Sequence, residues 1–114
     1  MNITKDYRIV KDESRLDEIL KMTEKALVLV YATWCPFCMR FLPVFQRYAQ
    51  GKDNYIFAED NQEMIAEQYH VDIIPTVLFF EKGEVTLRLD GAPGMGLNEK
   101  QLLDFIEKIE KRVD

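Results

Sequence analysis

The apolar run ALVLVYA, residues 26–32, has no polar alternation and is rich in strand-forming side chains. Such a run predicts a strand buried on both faces, and therefore a sheet covered by helices on each side. The period changes repeatedly around it. YRIV, residues 7–10, is a short strand candidate, and Ser14 is placed to cap a helix whose Leu16, Ile19 and Leu20 recur at i, i+3 and i+4. Residues 39–50 read as a second helix with Phe41, Leu42, Phe45 and Tyr48 on its apolar face and Gly51 at its end. Pro43 lies inside it, where the loss of a backbone donor predicts a kink. Residues 55–58 form a strand, and an acidic cluster (Glu59, Asp60, Glu63) then opens a short helix through Met64, Ile65 and Tyr69. IIPTVLFF, residues 73–80, reads as a buried strand opened by a proline. Lys82-Gly83 turns it tightly into residues 84–89, where Val85, Leu87 and Leu89 alternate with polar neighbours. Asn98 and Gln101 have capping-box spacing ahead of a last helix lined by Leu102, Phe105, Ile106, Ile109 and Val113.

The order is βαβαβαββα. Helices interleaved with the early strands and a hairpin near the end imply an α/β architecture, a central mixed β-sheet flanked by helices on both faces. No repeat or linker interrupts the 114 residues, which fit a single domain, 1–114. A net charge of −5 argues against nucleic acid and anionic membrane as partners, since both require a basic surface. The polar start, MNITKDYRIVKDES, lacks the basic head and apolar core of a signal peptide, and no apolar segment nears the roughly 20 residues that span a bilayer. A cytoplasmic monomer is the expectation.

Both cysteines of the chain fall in YATWCPFCMRFLP, residues 31–43. In a cytoplasmic protein a close pair points to redox chemistry or a metal before a structural staple, and two buried core residues are the third reading. A metal site needs about four ligands, and Cys35, Cys38 and the single His70 do not make a closed set; His70 reads as a residue at a helix end. Cys35 lies where the central strand ends and a helix begins, the sheet edge at which ligands usually sit. A helix N-terminus offers free N–H groups and partial positive charge, which favour a thiolate, and Pro36 fits the first turn. Cys38, one turn further in, is shielded and close enough to resolve a mixed disulfide formed at Cys35. The spacing supplies an attacker and a resolver.

WCPFC, Pro43 five residues after Cys38, IIPT, and Gly91 sixteen residues after Pro75 together resemble the thioredoxin family over essentially the whole chain. The resemblance implies the thioredoxin fold and a thiol–disulfide oxidoreductase, with Cys35 attacking and Cys38 resolving. It implies a cis Ile74-Pro75 bond facing the cysteines, with the Ile74 backbone pairing to an extended substrate segment as an added strand. Trp34 would border the site, Gly91 would leave room for substrate, and Trp34, Pro36, Phe37, Ile73, Ile74 and Ala92 would form an apolar patch for diverse disulfide-containing proteins. No bound cofactor and no metal are implied. Electrons would come from a thioredoxin reductase using NADPH or, if the chain follows glutaredoxins, from glutathione. A binding or chaperone module with incidental redox activity is the alternative from another class.

Four features depart from the family pattern. The dipeptide between the cysteines is Pro-Phe, closer to glutaredoxins than the Gly-Pro of thioredoxins. Leu29 stands where thioredoxins carry a buried acid, and Ile56, by ungapped alignment, where its lysine neighbour would be. PGMGLNEK lengthens the loop after Gly91 and exposes Met95 as a further contact candidate. Leu29 and Ile56 cannot take or relay a proton. Resolution by Cys38 is therefore expected to be slow near neutral pH unless another group, such as Glu59 or an ordered water, accepts it.

Overall fold

The computed structural model describes residues 8–112. Its elements are β1 (Arg8–Val10), α1 (Glu13–Lys21), β2 (Lys25–Tyr31), α2 (Pro36–Ala49), β3 (Tyr55–Glu59), α3 (Met64–Gln68), β4 (Thr76–Glu81), β5 (Glu84–Leu89) and α4 (Glu99–Glu110). This is the order that the periodicity predicts. Tyr7 and Val113, assigned above to the first strand and last helix, lie outside the described residues.

The five strands form one mixed sheet in the order β1-β3-β2-β4-β5. β3 runs parallel to both β1 and β2, whereas β4 is antiparallel to β2 and β5. The apolar run is thus the middle strand, and its alternate residues enter two cores. Leu27, Leu29 and Tyr31 pack towards α2 and α4 with Phe41, Phe45, Leu102 and Phe105. Ala26, Val28 and Val30 pack on the other face with Leu16 and Leu20 of α1 and Ile65 of α3. Phe45 fixes α2 on the first face, its ring centroid 5.5 Å from Tyr55 and 5.2 Å from Phe57. Full burial of side chains of this size is worth roughly 1.5–3 kcal/mol each.

Several local readings shift. Asp12, not Ser14, caps α1, accepting the Arg15 N–H at 2.8 Å; a carboxylate is the stronger acceptor at a helix N-terminus. α2 begins at Pro36 and runs on through Pro43, and β4 begins at Thr76 because Pro75 cannot donate to a ladder. Asp60 is 4% exposed and not part of a solvated helix start. Its carboxylate accepts the N–H groups of Ile65 and Ala66 at 2.8 and 2.7 Å, serving a short helix whose N-cap residue Glu63 makes no side-chain cap. The Lys82-Gly83 turn has φ of 53° and 85°, the primed hairpin geometry. A register shift opposite Phe79 and Phe80 breaks the alternation of β5, so that Val85 joins one core while Leu87 and Leu89 join the other.

Candidate active site

β2 ends at Tyr31, and a tight turn closed by the Cys35 N–H on the Ala32 carbonyl at 3.3 Å brings the chain into α2. Cys35 is the N-cap residue of that helix, extended at φ −103° and ψ 113°, with Pro36 in the first turn. Its Sγ accepts the backbone N–H of Cys38 at 3.2 Å, which puts sulfur where a serine or aspartate oxygen normally caps. Cys35 is 5% exposed and Cys38 is fully buried. The two differ in accessibility in the predicted order, although Cys35 is more enclosed than its place at the helix start suggested. Burial, then the contact with Cys35, pushes the Cys38 thiol up to about 12, against an opposing pull from the Ala32 backbone.

The loop before β4 faces this pair. The Ile74-Pro75 bond is cis, and the Cys35 thiol lies 3.9 Å from the Ile74 carbonyl oxygen it points to. Thr76 braces the loop, donating its hydroxyl to the Ile73 carbonyl at 2.6 Å and accepting the Gly91 N–H at 3.2 Å. Gly91 has a packing reason to be glycine, because a Cβ there would run into the Pro75 carbonyl oxygen. Pro75 and Gly91 are buried, so they shape this edge and present little surface, whereas Ile73, Ile74 and Ala92 are half-buried and Pro36 is exposed.

The lengthened loop folds back on itself. Ala92 and Gly96 exchange backbone hydrogen bonds at 3.3 and 3.0 Å, and Gly96 lies so close to Phe37 that a Cβ would come within 3.0 Å of the Phe37 Cβ. The Arg40 guanidinium lies over the Phe37 ring, 5.1 Å from its centre. Met95 at the loop tip is 73% exposed and Trp34 is 56% exposed. The Trp34 indole N–H donates to the Asn61 carbonyl at 3.0 Å, and the Asn61 side chain accepts the Thr33 N–H at 2.8 Å. Trp34 and Ile74 share a pocket of about 140 Å³ with Asp60, Glu63, Ala66, Val71 and Asp72. Asn61 carries no motif in the sequence, and only the register of β3 beside β2 reveals that it anchors the turn before Cys35. His70 follows α3 with φ of 57°, and its carbonyl accepts from Arg88 at 3.1 Å. Among the described residues no group of three or more His, Cys, Asp or Glu is placed to hold a metal ion.

Leu29 is fully buried in the same core as both cysteines. Its partner across β3 is Phe57. Ile56 turns to the opposite face, in the other core, which corrects the ungapped alignment. Leu29 and Phe57, paired across the ladder in the core that holds the cysteines, are both apolar all the same.

Comparison with known proteins gives one answer. The sequence model of the thioredoxin family matches residues 7–108. A thioredoxin of Mycoplasmoides gallisepticum is 33% identical over 79 residues, covering 67% of this chain and 79% of that protein. A bifunctional thioredoxin reductase/thioredoxin of Mycobacterium leprae is 30% identical over 105 residues, covering 88% of this chain and 23% of the relative. The chain likewise spans under a fifth of protein disulfide-isomerase A5 from cattle and mouse. Among solved structures, a mutant thioredoxin from Halobacterium salinarum superposes with a TM-score of 0.75 at 27% identity, covering 96% of each chain.

Proposed function

The chain belongs to the thioredoxin family and is a thiol–disulfide oxidoreductase, and we propose that it works as a reductase of protein disulfides through Cys35 and Cys38. The observation that carries this reading is the seating of Cys35 Sγ on the Cys38 amide at the start of α2, with the Cys38 thiol sealed directly behind it. Cys35 attacks as the thiolate. One substrate sulfur becomes bonded to Cys35 Sγ and the other leaves with the electron pair. Cys38 then attacks Cys35 Sγ, the intramolecular disulfide forms, and the second substrate sulfur departs as a thiol.

An extended substrate segment pairs with the Ile74 backbone while Trp34, Pro36, Phe37, Ile73 and Ala92 receive its side chains, and Pro75 and Gly91 hold that edge in shape. Fixed backbone pairing with a mostly apolar rim admits many sequences. An external donor restores the dithiol, either a thioredoxin reductase using NADPH, for which the fused relative is a precedent, or glutathione, to which the Cys-Pro-Phe-Cys site points. The chain acts as one domain, 1–114, a monomer in the cytoplasm. The test is insulin-disulfide reduction by wild type and Cys35→Ser, run side by side with thioredoxin reductase and NADPH and with glutathione. Turnover by wild type that Cys35→Ser abolishes is expected, and the faster arm identifies the donor. Equal turnover by the two proteins contradicts the reading.

A further inference from the structure

Resting on that reading, we propose that Tyr31 and Glu59 form the proton-handling pair for Cys38, the Tyr31 hydroxyl passing the Cys38 proton to the Glu59 carboxylate during resolution. The need is chemical. Cys38 must lose its proton to attack, and it is a fully buried thiol in the core that also holds Leu29 and Phe57. A buried neutral thiol supplies almost no thiolate near neutral pH.

The register identifies who can take the proton. Leu27 faces Tyr55, Leu29 faces Phe57 and Tyr31 faces Glu59 in successive pairs on the cysteine side of the sheet. Tyr55 is at the far end of this ladder. The final pair, at the end where α2 begins, brings in oxygen: the Tyr31 hydroxyl donates to Glu59 Oε1 at 3.3 Å. Tyr31 is 3% exposed and packs in the same core as Cys35 and Cys38. Burial above all, then the Glu59 carboxylate that accepts its hydrogen bond, and last the nearby Cys38 hold the phenol neutral.

The other buried oxygens near the site are already engaged. Asp60 accepts two α3 amides, and the Thr76 hydroxyl bridges Ile73 and Gly91. Glu59 is the outlet to solvent, with a side-chain exposure of 18% and Lys11 Nζ 4.0 Å from its second oxygen. The groups that face the pair are thus Cys38 from α2, Lys11 from beyond β1, and the neutral Asn61 amide, 3.4 Å from Glu59 Oε2.

In the step itself, the Cys38 proton moves to Tyr31 Oη as the phenol proton moves to Glu59. The freed sulfur pair attacks Cys35 Sγ, the Cys35–Cys38 bond forms, and the bond from Cys35 to the partner sulfur breaks. The partner sulfur leaves with the electron pair and takes a proton from water, while Glu59 returns its own to solvent. The acid has moved one strand over and to the end of the ladder, with a phenol to span the gap.

Stopped-flow reaction with Ellman's reagent separates the two events in one trace: a first release of thionitrobenzoate as Cys35 attacks and a second as Cys38 resolves. Wild type, Tyr31→Phe, Glu59→Gln, the double variant, and Leu29→Asp in the Tyr31→Phe background are compared from about pH 6 to about pH 9. Wild type should show a second phase nearly flat with pH. In Tyr31→Phe and in Glu59→Gln that phase should fall about tenfold or more near pH 7 and then climb about tenfold per pH unit, the dependence of a thiol far below its own pKa. The double variant should be no slower than either single one, and Leu29→Asp should restore the rate. The first phase should change less than about twofold in all of them.

A second phase in Glu59→Gln that matches wild type at every pH, or is slowed by one constant factor throughout, overturns the proposal. Glu59→Gln changes a partly exposed side chain, so that comparison stands even if Tyr31→Phe misfolds. Absence of the first phase in wild type would instead remove the function on which the proposal rests.

Discussion

Cys35 and Cys38 differ by one helical turn, and that turn divides their reactivity. Cys35 keeps a small exposed surface at the N-cap, while Cys38 is closed off and burial pushes its thiol well up, so that it stays protonated near neutral pH. Substoichiometric iodoacetamide at neutral pH should therefore label Cys35 almost exclusively, as read by peptide mapping, and a label mainly on Cys38 would reverse the proposed roles. Gly91 makes a second residue-level test. A methyl group there meets the Pro75 carbonyl, and overpacking of this kind costs typically 1–3 kcal/mol. Gly91→Ala should lower the urea midpoint by a corresponding amount and slow disulfide exchange as well, because the displaced backbone is the one that faces Cys35. A variant of wild-type stability would show that the loop yields freely.

The elements separate what stabilises the fold from what performs the chemistry. α4 starts with a complete capping box, Asn98 accepting the Gln101 N–H and Gln101 accepting the Asn98 N–H, both at 2.9 Å. Asn98→Ala should cost about 1 kcal/mol in chemical denaturation while leaving the rate of attack by Cys35 unchanged; a slowed attack would tie α4 to the site. This cap, the hairpin turn and every strand within the described residues were legible in the sequence, since each depends on near neighbours or on strict periodicity. Other features were not. The flip of Val85 comes from a bulge set by pairing with β4, and the burial of Asp60 comes from the bare amides of α3. Asn61 and the Tyr31–Glu59 contact span 27 and 28 residues of sequence and exist only because β2 and β3 lie parallel in one register. The cysteines themselves were plain because their chemistry depends on a local junction. Leu29 does lie in the same core as the pair, but its neighbour required the ladder to identify it as Phe57.

At the scale of the molecule, redox state, pH and stability are linked. The folded dithiol protein keeps Cys38 protonated to higher pH than the unfolded chain does, so unfolding releases a proton once the pH passes the thiol's ordinary value. The stability this contributes is complete below about pH 9 and declines as pH rises towards about 12. Tyr31, Tyr55 and Tyr69 are raised too, chiefly by burial, and decline in the same sense, but only the dithiol form has a thiol at Cys38 to titrate. The melting temperature of the dithiol form should therefore fall relative to that of the disulfide form as the pH rises above about 9; a constant gap would show that Cys38 is not held protonated by the fold. The Pro-Phe dipeptide and the apolar pair of Leu29 and Phe57 favour the dithiol, which predicts a potential above about −250 mV, between the values of thioredoxin and the glutaredoxins. Equilibration with glutathione, followed by Trp34 fluorescence, reads it directly, and a value at or below that of thioredoxin would refute the inference from the dipeptide. The division of labour between the two cysteines is the central claim, and trapping tests it most directly. Cys38→Ser and Cys35→Ser are each incubated reduced with insulin, and the adducts are mapped by mass spectrometry. Cys38→Ser should accumulate a stable one-to-one mixed disulfide through Cys35, and Cys35→Ser should form none. A Cys38-linked adduct with turnover retained in Cys35→Ser would contradict the account.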